Sequence, residues 1–117
     1  MRPLLPLLFL LFVACVPPTQ NQLGVTLEPF TQTIGRRGIV LNITRDGKPL
    51  TEASVSIEGN MTHAGMGVVR DTATELEAGR YRITAFDFNM SGDWILTVTA
   101  KTDEETLTGE VRLEVKP

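Results

Sequence analysis

Two methionines and the only histidine of the chain fall within six residues, at Met61, His63 and Met66, inside the segment Gly59-Asn60-Met61-Thr62-His63-Ala64-Gly65-Met66-Gly67. Thioether sulfur is a soft, neutral donor that suits Cu(I), and imidazole suits copper as well. Outside the cell neither is lost to oxidation as readily as a thiolate. Glycine lets such a segment fold on itself, and Thr62 and Ala64 are too small to obstruct a metal. Met90, at the end of a later apolar stretch, is placed to close the same end of the molecule. Met61, His63, Met66 and Met90 are therefore a candidate Cu(I) ligand set. The same residues also read as a metal-free cap, because methionine fills irregular gaps and a lone histidine on such a loop faces solvent.

A second residue with chemistry of its own is Cys15, the single cysteine. Before it, Arg2 supplies a short positive region and Leu4 to Val13 an apolar run of ten residues, too short to span a bilayer comfortably. Leu11-Phe12-Val13-Ala14-Cys15 then reads as a lipidation box. A small residue before the cysteine admits a signal peptidase, and the thiol is the strongest nucleophile on offer for a thioether link to lipid. Residues 1–14 are accordingly expected to be a lipoprotein signal peptide, and residues 15–22 a lipidated cysteine with a polar, proline-bearing tether. Several acyl chains there would give lasting attachment where one holds only marginally. The other reading is an ordinary secretory signal that ends near an inert thiol.

Catalytic candidates are thin. One histidine, no spare cysteine, no glycine-rich phosphate loop and no convincing Ser-His-Asp set leave no basis for an enzyme. The net charge is −3, and loss of Arg2 with the signal leaves ten basic and fourteen acidic side chains, or −4. That balance repels a phosphate backbone, and no basic cluster exceeds Arg36-Arg37, so nucleic acid is not an expected partner. The triplets at Asn42, Asn60 and Asn89 match a glycosylation sequon but carry no weight beside a bacterial lipidation box.

The elements that must position the methionines read as strands. From Leu23 to Pro117 the pattern has period two, with turn residues at short intervals, and no stretch suits a helix. Ile39, Leu41 and Ile43 alternate with polar neighbours up to Asp46-Gly47, a pair that tolerates positive φ. Ala53, Val55 and Ile57 alternate in the same way. Tyr81, Ile83 and Ala85 share one face before Phe86, Phe88 and Met90 take over the apolar role, a change of phase that predicts a bulge near Ala85. Trp94, Leu96, Val98 and Ala100 continue the core, Leu107 to Val115 closes it, and Leu23–Leu27 and Ala73–Glu77 supply an opening and a short strand. About seven strands at this spacing predict an all-β, immunoglobulin-like two-sheet sandwich over residues 23–117. Gly79-Arg80-Tyr81 resembles a tyrosine corner, which makes Tyr81 structural, and Trp94 reads as a core anchor.

The order of these blocks is similar to one family. Asp46-Gly47-Lys48-Pro49-Leu50 with Ala53-Ser54-Val55, then Met61 to Gly67, then Gly79-Arg80-Tyr81 and Met90-Ser91-Gly92-Asp93-Trp94, resembles the YtkA-like domain, itself related to the FixH family. The resemblance implies an extracytoplasmic immunoglobulin-like fold and a part in copper handling or respiratory-oxidase assembly, with a membrane-bound copper acceptor or oxidase as partner. Members often begin the Met/Gly block with Met-Pro, where this chain has Met61-Thr62-His63. FixH proteins usually carry a membrane helix, which a lipid anchor would replace here. Set against copper is a metal-free protein-interaction or scaffold module. A carbohydrate binder is disfavoured, since most of the few aromatics fall on core-facing positions.

Overall fold

A computed structural model describes residues 23–62 and 67–117. The readings at Cys15 and residues 1–22, and those at His63 and Met66, lie outside these described residues.

The described chain is all β. Its strands are β1 (Gly24–Leu27), β2 (Gly35–Arg45), β3 (Lys48–Pro49), β4 (Ser54–Met61), β5 (Val69–Glu77), β6 (Arg80–Phe88), β7 (Gly92–Lys101) and β8 (Thr106–Val115). They follow the order β1-β2-β6-β5-β4-β7-β8, with β3 beside β2, and every strand pairing is antiparallel. β5 joins the two sheets. Its first half, Val69 to Ala73, pairs with β4, and from Thr74 onward it pairs with β6. On the opposite side the Leu23 N–H donates to the Thr108 carbonyl at 2.8 Å, and Thr33 forms a parallel bridge with Lys116. The result is a nearly closed sandwich.

Period-two patterning explains the core. Along β2 and β7 the inward residues Ile39, Leu41 and Ile43, and Trp94, Leu96, Val98 and Ala100, are all at most 1% exposed. The bulge lies where the change of phase predicts it. Arg37 pairs with Phe86 and Ile39 with Ile83, so Thr84 and Ala85 together oppose Gly38. The extra residue returns Phe86 and Phe88 to the inside after Tyr81 and Ile83, and all four are fully buried. Asp46 (φ 52°) and Gly47 (φ 77°) form the tight turn that their types favour.

Three boundaries differ from the expectation. An eighth strand, the two-residue β3, is added by the Asp46-Gly47 turn. The strand expected at Ala73–Glu77 begins at Val69, because Val69-Arg70-Asp71-Thr72 lies at a sheet edge with no buried position and shows little hydrophobic alternation. Gly59, Asn60 and Met61 belong to β4 rather than to a flexible loop. Gly59 owes its type to packing there, since a Cβ would stand 2.6 Å from Phe86 Cζ and 3.2 Å from Trp94 Cε3.

Candidate functional site

The register gives the sandwich two ends. One, the near end, holds the Asp46-Gly47 and Ala78-Gly79 turns and the Thr102–Glu105 connection. The other, the far end, holds residues 28–34, the residues flanking 63–66, and the Asn89–Ser91 turn. Met61 and Met90 both stand at the far end.

Trp94 organises that end. As the third residue of β7 it points inward, 1% exposed, and meets Phe88 edge-on with ring centroids 5.4 Å apart and an interplanar angle of 89°. Phe86 lies 4.8 Å from Phe88 and 6.2 Å from Trp94, and Phe30 stacks on Phe88 at 5.8 Å. Edge-to-face pairs of this kind contribute roughly 0.5–1.5 kcal/mol each beyond the area they bury. The indole Nε1–H donates to the Met90 carbonyl at 2.9 Å, which satisfies the one polar atom of the ring and ties down the Asn89–Ser91 turn. On its other side Trp94 is the register partner of Met61, the last residue of β4. The Thr62 N–H then donates to the Asp93 carbonyl at 3.1 Å, so β4 and β7 stay paired to the start of residues 63–66.

The two methionines differ in what they can do. Met61 is 8% exposed and part of the core, whereas Met90 is 43% exposed. Met61 therefore acts as packing first. Met90 presents its thioether to solvent from a turn held by Trp94. The fold thus brings Met61 and Met90 to one end, joined through a single indole. Thr62 and Gly67 flank residues 63–66 at that same end. Among the described residues no three His, Cys, Asp or Glu side chains gather as metal ligands.

Sequence reasoning missed the Trp94–Met90 bond, although the spacing of four residues across a Ser-Gly-Asp turn was visible. It also missed a shallow surface depression lined by Thr62, Asp93, Trp94, Ile95, Arg112 and Leu113, beside the same strand ends. Across three strands that depression has no sequence signature.

Two arrangements away from this end are structural. The Tyr81 hydroxyl donates to the Leu50 carbonyl at 2.9 Å and accepts the Ala53 N–H at 3.2 Å. It is structural as expected, but its partners lie 28 and 31 residues upstream rather than beside it. Arg80 holds Glu28 through bonds of 2.8 and 3.0 Å, and Asn42 adds a third at 3.2 Å. These bonds hold the Glu28 carboxyl below its ordinary range, the Arg80 contribution being the largest, and the carboxylate in turn raises the Arg80 guanidinium.

Comparison with known proteins gives one match. A family described as YtkA-like matches residues 19–99. No curated protein and no solved structure matches the chain significantly.

Proposed function

The chain belongs to the YtkA-like family, and on that premise we propose that it is an extracytoplasmic, lipid-anchored accessory in copper handling or respiratory-oxidase assembly. Cys15, preceded by Arg2 and the apolar run Leu4–Val13, would carry the lipid. Met61, His63, Met66 and Met90 would hold Cu(I), and the domain would pass the ion to a membrane-bound acceptor or oxidase. Thioether sulfur holds the ion without titrating and is oxidised less readily than a thiolate, which suits transfer rather than catalysis.

The observation that carries this reading is the Trp94 junction. One buried indole is bonded to the Met90 turn and paired with Met61, so two methionines stand at the end of the sandwich where Thr62 and Gly67 flank residues 63–66. A second reading, a metal-free protein-interaction module, is favoured by the burial of Met61 in the core.

Competitive Cu(I) titration separates the two. The chain lacking residues 1–15 is compared with a Met61→Leu, His63→Ala, Met66→Leu variant, leucine being chosen at position 61 because alanine would open a hole in the core. Stoichiometric uptake by the wild type, weakened at least roughly ten-fold (about 1.4 kcal/mol) in a variant of unchanged thermal stability, is the expected result. Equal, weak uptake by both leaves the metal-free module.

A further inference from the structure

The two methionines that the fold brings to the far end stand in opposite relation to solvent. Met90 is 43% exposed and Met61 8%. The other oxidisable side chains of the described sandwich are closed off, Trp94 at 1% exposed and Tyr81 at 0%. The single cysteine, Cys15, precedes the domain, and on the reading proposed above its thiol is taken by lipid. Among the described residues, Met90 is therefore the soft nucleophile that an oxidant in the surrounding water meets first.

The turn that carries Met90 is built to survive the reaction. The Met90 carbonyl accepts the Trp94 indole N–H at 2.9 Å, a bond to the backbone that a change at the side-chain sulfur leaves in place. Phe88 and Trp94, one on either side of the turn, are locked edge-on in the core, so its position does not depend on the Met90 side chain. At Met61, in the core and opposite Trp94, the same added oxygen would set an unpaired polar atom into apolar packing. The fold thus separates a thioether that can be oxidised without damage from one that cannot.

We infer that Met90 is a reversible oxidation site for peroxides, and that its sulfoxide is the form in which the proposed site gives up Cu(I). A lone pair of the Met90 Sδ attacks one peroxide oxygen, and the S–O bond forms as the O–O bond breaks. The departing hydroxide takes the proton of the transferred oxygen and leaves as water. Sulfur loses two electrons and the peroxide gains them. The sulfoxide oxygen is a hard donor, unsuited to a soft ion. Reduction by a dithiol, catalysed by a methionine sulfoxide reductase, returns the thioether and releases the oxygen as water, the dithiol becoming a disulfide. Release of the ion rests on the copper reading above, whereas oxidation at Met90 does not.

Limited treatment of the metal-free full chain with hydrogen peroxide, stopped with catalase, tests both parts. Peptide mass spectrometry should show Met90 converted at least roughly five-fold faster than Met61, in line with exposures of 43% and 8%, with the thermal midpoint unchanged. Competitive titration should then show Cu(I) uptake weakened at least roughly ten-fold, and methionine sulfoxide reductase with dithiothreitol should restore it. In Met90→Leu the same peroxide treatment should leave uptake where the substitution sets it, which assigns the loss to Met90 rather than to Met66. Equal conversion of Met61 and Met90, or a fallen midpoint, overturns the oxidation site. Selective conversion with uptake unchanged, or a further fall in peroxide-treated Met90→Leu, overturns the release. An untreated chain that takes up no Cu(I) overturns the copper reading and the release with it, while selective oxidation at Met90 stands.

Discussion

Tyr81 shows how much one polar atom does in this core. Its ring is fully buried, and its hydroxyl both donates to Leu50 and accepts from Ala53, fastening the connection before β4 to the start of β6. Tyr81→Phe removes the bond and leaves two backbone groups short of a partner, which should cost about 1–3 kcal/mol by urea denaturation. Burial, the largest cause, raises the Tyr81 hydroxyl above its ordinary value of 10.0. Its folded pKa then exceeds the unfolded one, so the contribution is complete below pH 10 and declines as pH rises toward and through the folded value. The wild type should lose stability above pH 10 more steeply than Tyr81→Phe in alkaline unfolding series. The sequence motif marked Tyr81 as structural, but which connection passes over a buried hydroxyl depends on the path of a chain 28 residues away. Spacing does not record that. Gly59 teaches the same lesson, since a glycine beside a Met/Gly block reads as flexibility when its real neighbour is the Phe86 ring. Gly59→Ala should cost roughly 1–3 kcal/mol through overpacking, read as a lowered thermal midpoint.

At the scale of elements, what was legible was whatever depends on local alternation. The bulge in β6 follows from the switch of apolar parity between Ile83 and Phe86, and the β2 turn from Asp46-Gly47. β5 was harder. It serves one sheet with Val69–Ala73 and the other from Thr74, and as an edge in each half it buries no side chain fully. The far end depends on Trp94 in the same non-local way. Trp94→Phe keeps an aromatic ring but deprives the Met90 carbonyl of its donor. It should cost about 1–3 kcal/mol and release the Asn89–Ser91 turn, visible as faster amide hydrogen exchange there with the near end unchanged. The segment before β2 is tied down by Glu28, whose carboxyl is held below its ordinary 4.5 chiefly by the Arg80 hydrogen bonds. A lowered folded pKa contributes stability above pH 4.5 that is lost as pH falls through the folded value. Glu28→Gln should therefore flatten the acid limb of the stability profile. With the pair one-third exposed the effect is modest and shrinks with added salt.

Over the whole molecule, closure replaces covalent staples. The chain has one cysteine and no possible internal disulfide, and its sheets are joined by β5 on one side and by the Leu23–Thr108 and Thr33–Lys116 contacts on the other. This all-β sandwich was legible because period-two alternation runs through most of the strands. The order of strands was not, since pairing across the molecule leaves no local trace. The same scale carries the functional proposal, in which soft donors meet at one end of the sandwich. Copper K-edge X-ray absorption on the Cu(I)-loaded chain tests that claim most directly. The account predicts sulfur scatterers with a nitrogen in the first shell, and a loss of sulfur amplitude in Met66→Leu. A first shell of oxygen and nitrogen alone, unchanged by that substitution, would contradict it.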